Sequence, residues 1–206
     1  MIQMSYRALV FALSVFAVIN LPASASASAS ASASAAERPV QGWATKSGLV
    51  TLLPQNAVQT TKDPMARLLI EDAFSRYAMA VDEGRHDVLS SLFTDDVHLD
   101  VVEASKTPLV SVSGRDAVVA NFAAAWKQQG DQRRHLISNF VFNKLTADRA
   151  EVVAYAVVVV ANDDLSVGAS VIYTADFRRG PDGLWRFSRI LIGMDKYMGQ
   201  KPNPKK

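Results

Sequence analysis

The stretch Pro64–Asp82, PMARLLIEDAFSRYAMAVD, is the longest segment of this 206-residue chain with helical periodicity. Its large apolar and aromatic residues follow one another at steps of four, three and four positions, which places them on one stripe of an α-helix. They are Ile70, Phe74, Tyr77 and Val81. The pattern predicts a helix that buries this stripe and around which the rest of the domain is arranged.

The ends of this helix are also marked. Asp63 can accept a hydrogen bond from the first turn as an N-cap, and Pro64 suits the first helical position because no backbone N–H is needed there. Gly84 predicts the end, since glycine accepts the left-handed conformation that follows many helices. Tyr77 lies on the buried stripe and Asp82 at its edge. A phenol and a carboxylate therefore face an interior where each needs a partner or a chemical role.

Downstream of this helix the apolar residues change from a helical period to a period of two. Two further helices are predicted at residues 86–93 and 115–128, with strands at 97–102 and 109–112 between them. Four more strands follow at residues 135–143, 150–161, 166–178 and 185–194, separated by turn residues. This order predicts an α+β fold in which a curved antiparallel sheet wraps around the N-terminal helices and leaves an open mouth for a ligand.

One strand segment, AYAVVVVA at residues 154–161, is apolar on both faces. Such a strand is expected to be covered on both sides. The helices would cover one side, and a second subunit or the N-terminal extension would cover the other. The segment therefore favours a homodimer formed through the outer face of the sheet.

The first 36 residues have the layout of a secretory signal peptide. A single cation, Arg7, precedes an apolar run at residues 8–19, and an alternation of alanine and serine continues through Ala36. The run is shorter than the ~20 residues of a membrane-spanning helix, so we expect export to the periplasm or the exterior, with no stable membrane association after cleavage. The alternative is an uncleaved anchor with an alanine–serine linker. Residues 37–62 then form an N-terminal extension, residues 63–196 the domain and residues 197–206 a basic tail.

Composition restricts the classes of function. The formal net charge is +2, and removal of the leader leaves +1 because Arg7 is its only charged side chain. This balance argues against a nucleic-acid partner. The chain has no cysteine, which excludes disulfides, thiolate catalysis and cysteine metal sites.

Four local strings resemble the SnoaL-like branch of the nuclear transport factor 2-like superfamily, whose members are cone-shaped α+β barrels. The strings are YAMAVD at 77–82, LSSLFTDDV at 89–97, GRDAV at 114–118 and RHLISN at 134–139. The resemblance extends over residues 65–194. The second and third strings concern the fold, whereas the first and fourth resemble the dehydratase-type members, which act on an alcohol or a ketone.

The resemblance also implies a site. In the dehydratase-type members a helix Tyr, a helix Asp and a strand His point into the cone, and Tyr77, Asp82 and His135 match these positions. This implies acid–base chemistry without a cofactor, in which Asp82 and His135 exchange protons with the substrate and Tyr77 donates to its oxygen. This chain departs from the family in one feature. In the dehydratase-type members a further acidic residue on the next strand supports the His, whereas the corresponding residues 155–160 of this chain contain no carboxylate.

Other residues are candidates for contact with a ligand. Asn139 lies on the same strand face as His135 by the period of two, so its amide is expected in the same cavity. Trp126, Tyr155 and Tyr173 are expected to line an apolar pocket, because each combines an aromatic ring with a polar tip. Ordinary cores contain such aromatic residues too.

His98 and Asp100 also share a strand face. Two ligands without a third at a defined spacing are more typical of a solvent-facing pair than of a metal site. No metal or other cofactor is therefore predicted.

Two classes of function are open at this point. The first is an exported SnoaL-like protein with an apolar pocket for a small hydrophobic or polycyclic molecule, acting as a cofactor-independent dehydratase or isomerase. The second is a non-catalytic ligand-binding or dimeric interaction module. In that case Asp82 caps the helix end or pairs with Arg85, and His135 is an ordinary hydrogen-bonded strand residue. The missing strand carboxylate favours the second class.

Overall fold

The computed structural model describes residues 40–54, 63–104 and 107–197. The helices and strands in these residues are α1 Trp43–Lys46, α2 Pro64–Asp82, α3 His86–Ser91, β1 Phe93–Glu103, β2 Val110–Ser113, α4 Arg115–Trp126, β3 Gln132–Leu145, β4 Arg149–Ala161, β5 Leu165–Arg179 and β6 Trp185–Tyr197. The predicted signal peptide and residues 198–206 of the basic tail lie outside the described residues. No helix in the described ranges is both long enough and apolar enough to cross a membrane.

The strands form one six-stranded sheet in the order β2-β1-β6-β5-β4-β3. Neighbouring strands are antiparallel except β1 and β6, which run parallel. The predicted α+β fold is thus confirmed, with a sheet that is mixed and open and has β2 and β3 at its edges. The sequence pattern does not predict that β1 and β6 are parallel, because a period of two identifies a strand but not the strand with which it pairs.

Helix α2 begins and ends as its sequence predicts. Asp63 Oδ1 accepts a hydrogen bond from the Ala66 backbone N–H at 3.0 Å, and Pro64 occupies the first helical position. Gly84 follows the helix with a φ of 63°. All four residues of the predicted stripe are buried against the sheet. The helix therefore carries its last residue, Asp82, to one end of the space that the sheet encloses.

Aromatic rings fill the other end of this space. The Phe74 ring lies 5.4 Å from the Phe177 ring and 5.1 Å from the Phe187 ring, measured between centroids, in edge-to-face arrangements. All three side chains are 0–1% exposed. Burial of each phenyl group contributes about 1.5–3 kcal/mol, so this cluster is a main source of the stability of the domain.

The N-terminal extension covers part of the outer face of the sheet. Ala44 and Val50 pack against Val153 of β4 and Ile172 of β5, and the Trp43 indole N–H donates to the Asp195 carboxylate. This cover does not reach the neighbouring positions of β4, since Tyr155 and Val157 are 50% and 40% exposed.

Strand β3 changes the direction of its side chains in the middle. Asn139 has a φ of 58°, and the pairing with β4 shifts in register between Ser138 and Val141. Such a bulge inserts a residue and reverses the alternation beyond it. Phe140 and Phe142 therefore pack into the core, and Asn139, which the period of two placed in the cavity with His135, is exposed.

Candidate functional site

Asp82, at the end of α2, and His135, near the start of β3, are joined by two hydrogen bonds. Asp82 Oδ1 lies 2.5 Å from the His135 ring Nδ1, and Asp82 Oδ2 accepts from the His135 backbone N–H at 2.9 Å. The two side chains are 6% and 11% exposed. Gln132 Nε2 donates to the Asp82 backbone carbonyl at 3.2 Å, which ties the helix end to β3 at a further point.

This contact determines how the imidazole can react. A carboxylate only accepts hydrogen bonds, so a neutral His135 carries its proton on Nδ1 and its lone pair on Nε2. Asp82 thereby orients His135, and residues 155–160 of β4 contain no carboxylate that could do so. The sequence predicted Asp82 and His135 as an acid and base pair at the cavity, and in the structure the two side chains are in direct contact. Arg85, the alternative partner of Asp82, binds Asp87 instead, with Nη2 and Oδ2 2.8 Å apart.

The pair lines a cavity between α2, α4 and the inner face of the sheet. The space between atoms is about 570 Å³, including the part that is open to solvent. The polar lining residues are Asp82, Gln129, Arg133 and His135, and the others are Val81, Val101, Phe122, Ala125, Trp126, Val158, Ala169, Val171, Tyr173, Ile192 and Met194. The cavity is thus apolar except at one end.

A second ionic contact lies at the polar end. Arg133 Nε and Nη2 donate to the two oxygens of Asp131 at 2.8 and 3.3 Å, and the side chains are 4% and 1% exposed. Sequence reasoning missed both residues. The available signal was that Arg133 stands two positions before His135, so the two share the inner face of β3.

The rings of Tyr77 and Tyr173 lie 5.9 Å apart, measured between centroids. Burial raises the pKa of Tyr77, and a hydrogen bond with the Tyr173 hydroxyl and the negative charge of Asp82 raise it further. Burial likewise raises the pKa of Tyr173, while the hydrogen bond with Tyr77 lowers it. These directions are those expected when the Tyr77 O–H donates to the Tyr173 oxygen. Tyr173 lines the cavity, and Tyr77 is not among the lining residues.

The remaining candidate ligand residues separate into two groups. Trp126 lines the cavity, and its indole N–H donates to the Val81 backbone carbonyl at 2.8 Å. Tyr155 is half-exposed on the outer face of β4, and Asn139 is exposed at the bulge of β3. Neither of the latter two lines the cavity, because strand alternation turns Tyr155 outward and the bulge turns Asn139 away from His135.

His98 and Asp100 form a separate His–Asp contact on the other face of the sheet. His98 Nε2 lies 3.1 Å from Asp100 Oδ1, His98 Nδ1 lies 2.8 Å from Ser113 Oγ, and Arg189 pairs with Asp100. The part of the chain that the structure describes has no group of three or more His, Asp or Glu side chains that could hold a metal ion.

A curved sheet around one long helix is the architecture of the nuclear transport factor 2-like superfamily. The family model described as SnoaL-like domain matches residues 65–190, and the chain belongs to this family. No curated protein matches the chain.

Several solved structures share the fold. The β subunit of a candidate aromatic-ring-hydroxylating dioxygenase from Novosphingobium aromaticivorans DSM 12444 is 20% identical, with a TM-score of 0.58 and coverage of 65% of this chain and 92% of that one. A candidate scytalone dehydratase from the same organism is 18% identical, with a TM-score of 0.56 and coverage of 68% and 90%. LinA is 18% identical, with a TM-score of 0.54 and coverage of 68% and 92%. At such identities the likeness shows the fold alone.

Proposed function

We propose that this protein is an exported, cofactor-independent lyase or isomerase that acts on a small hydrophobic molecule carrying a ketone or hydroxyl group. The observation that carries the proposal is the double hydrogen bond from His135 to Asp82 at the polar end of an apolar cavity. Burial of a carboxylate and an imidazole costs desolvation free energy, and a role in acid–base catalysis explains why such a pair is buried beside a cavity.

In the proposed reaction, His135 Nε2 removes a proton from the carbon next to the substrate carbonyl. Asp82 stabilises the imidazolium that forms, as a carboxylate does for the histidine of other acid–base pairs. The imidazolium then returns the proton, either to another carbon, which gives an isomer, or to a departing hydroxyl group, which leaves as water with formation of a C=C bond. The phenol of Tyr173 offers an O–H donor at the cavity wall, a role that the sequence assigned to Tyr77.

Two observations support the ligand class. The lining is apolar apart from one end, so a hydrocarbon ring with a single oxygenated edge matches it. The candidate scytalone dehydratase that shares the fold bears the name of a lyase, which agrees with the reaction class proposed here.

The test is proton exchange in a simple ketone. The full chain is incubated in D₂O with 1-indanone, 2-cyclohexenone and acetophenone, and loss of the proton next to the carbonyl is followed by ¹H NMR. We expect wild-type protein to accelerate exchange of at least one ketone. His135→Gln should reduce that acceleration by about 10²–10⁴-fold, and Asp82→Asn should reduce it by a smaller factor.

The matched control is His98→Gln, which removes the other His–Asp contact. It should leave exchange unchanged, because His98 lies on the face of the sheet away from the cavity. Thermal melting establishes that each variant is folded. Exchange that is no faster with wild type than with His135→Gln contradicts the catalytic proposal.

A second candidate, a dimeric interaction module, is favoured by the outer face of the sheet. Large apolar side chains there are 36–76% exposed in the single chain. They are Leu136, Val141, Tyr155, Val157, Leu165 and Val167. We propose that this surface pairs two copies of the chain.

Val157→Asp should then shift the protein from dimer to monomer in analytical ultracentrifugation. Met79→Asp, on an exposed face of α2, is the control and should leave the dimer intact. A wild-type protein that is monomeric contradicts the pairing.

Export is proposed from residues 1–36, with periplasmic or secreted localisation. The measurement is the N-terminus of the protein recovered from a bacterial host, determined by mass spectrometry. We expect a mature chain that starts within or just after the alanine–serine alternation at residues 23–36. A chain that keeps Met1 and sediments with membranes supports the uncleaved anchor instead.

A further inference from the structure

The polar end of the cavity contains more charge than the catalytic pair alone requires. Asp131 and Arg133 are 1% and 4% exposed, and the side chains of Asp82 and His135 are 6% and 11% exposed. Arg133 and His135 stand two positions apart on β3 and both line the cavity. A ligand that reaches His135 therefore also meets Arg133.

The balance of these charges is negative when the imidazole is neutral. Asp82 and Asp131 contribute two negative charges and Arg133 one positive charge, so the group carries a net charge of −1. The positive charge of Arg133 is compensated by Asp131, with which it forms a two-point contact. In an apolar cavity charges interact over longer distances than in water, so an anionic ligand is repelled.

From this arrangement we infer that the cavity selects neutral ligands with one carbonyl-type oxygen, and that Arg133 determines this selectivity by donating to that oxygen. The inference rests on the proposed function in taking the cavity as the ligand site, and it deepens that function by naming the charge class of the substrate. Arg133 binds the oxygen directly, and Asp131 acts through Arg133 as a positioning residue.

The same balance suits the proposed reaction. When His135 Nε2 takes a proton from a neutral ketone, the C–H electron pair moves to the carbonyl oxygen and an enolate forms. The imidazole becomes an imidazolium, so the protein group changes from a net charge of −1 to 0 as the ligand changes from 0 to −1. Repulsion is thus absent when the oxygen becomes negative, and Arg133 lines the same cavity.

The test uses three molecules of nearly equal shape: acetophenone, a neutral ketone; benzoate, its anionic counterpart; and ethylbenzene, which has no oxygen. Their dissociation constants for the full chain are measured by NMR titration. We expect acetophenone to bind about tenfold more tightly than benzoate, because the anion meets an uncompensated negative charge. Arg133→Gln should weaken acetophenone binding about tenfold and leave ethylbenzene within about twofold.

The matched control is Arg134→Gln. Arg134 is the next residue, half-exposed, and pairs with Glu83 at 2.6 Å on the other side of the strand. It should leave all three dissociation constants unchanged. Arg133→Gln leaves the buried Asp131 carboxylate without this partner. If that variant fails to fold, the double variant Arg133→Gln with Asp131→Asn replaces it, because it removes both charges and keeps a polar side chain at each position. That double variant should lose the acetophenone preference as well.

The inference is overturned if benzoate binds wild-type protein as tightly as acetophenone, if none of the three molecules binds, or if Arg134→Gln acts as strongly as Arg133→Gln. It fails separately from the proposed function. Selectivity without proton exchange removes the catalytic proposal and keeps this inference. Proton exchange that depends on His135, together with benzoate binding as tight as acetophenone binding, does the reverse.

Discussion

Helix α2 and the inner face of the sheet enclose a packed end and a cavity end. At the packed end, the rings of Phe74, Phe177 and Phe187 fill the space with centroids 4.2–5.4 Å apart. At the cavity end, about 12 Å further along the helix by its rise per residue, Asp82 meets His135 beside an open volume. The same two elements therefore support stability at one end and carry buried charge at the other.

This contrast separates residues that stabilise the fold from residues that act on a ligand. Burial of phenyl rings contributes favourable free energy, while burial of an ionisable pair costs desolvation energy that the contact only partly returns. Substitutions at the packed end should therefore change unfolding, and substitutions at the cavity end should mainly change binding.

The largest expected effect is at the packed end. Phe74→Ala removes a fully buried ring from contact with several others and should lower the free energy of unfolding by about 3–5 kcal/mol. Urea denaturation measures it, with Met79→Ala, an exposed position on the same helix, as the control. A loss below about 1 kcal/mol would mean that this end is not the main source of stability.

The next effect concerns the phenols between the two ends. Tyr77→Phe and Tyr173→Phe should each lower the free energy of unfolding by about 1–3 kcal/mol, since each leaves a buried hydroxyl without its partner. The double variant should lower the free energy of unfolding by less than the sum of the two single losses, because neither hydroxyl remains to be left without a partner. Strict additivity in this cycle, measured by denaturation, contradicts a direct hydrogen bond.

A smaller effect distinguishes two tryptophans. Trp126→Phe, at the cavity end, removes the hydrogen bond to the Val81 carbonyl and should cost about 1 kcal/mol beyond the change in ring size. Trp185→Phe, at the packed end, is the control, because the Trp185 indole N–H has no hydrogen-bond partner among the described residues. Equal losses of stability in the two variants would show that the Trp126 hydrogen bond contributes nothing measurable.

The smallest expected effect is on the outer face beside the packed end. Partial burial raises the pKa of Asp176, Arg189 and Lys144 oppose this, and Glu151 adds to it. A carboxyl with a raised pKa in the folded state favours folding when protonated and loses that contribution as the pH rises through the folded pKa. Asp176→Asn should therefore raise the Tm at pH 7, by up to about 2 °C, and the gain should vanish near pH 3.

The check is a series of melting curves from pH 3 to pH 8, with Asp163→Asn in the β4–β5 turn as the control. A Tm that Asp176→Asn lowers at pH 7 contradicts the expected direction, because it would mean that the ionised carboxylate stabilises the fold.

Much of this contrast could be predicted from the sequence, because it depends on local patterns. The N-cap at Asp63 and the spacing of the stripe define α2, and Tyr77, Asp82 and His135 were named from a resemblance between short strings. The bulge at Asn139 was not predictable, since a period of two carries no sign of an inserted left-handed residue. Arg133 was missed because a charged residue near the start of a strand is usually exposed.

The central claim is that Asp82 holds His135 with its Nε2 lone pair facing a ligand. The most direct measurement is a long-range ¹H–¹⁵N correlation spectrum of the histidine rings, assigned with His135→Gln, before and after addition of acetophenone. We expect a ring that carries its proton on Nδ1, whose Nε2 resonance shifts on addition of the ketone and whose tautomer is lost in Asp82→Asn. A ring protonated at Nε2, or one that does not respond to the ketone or to Asp82→Asn, would contradict it.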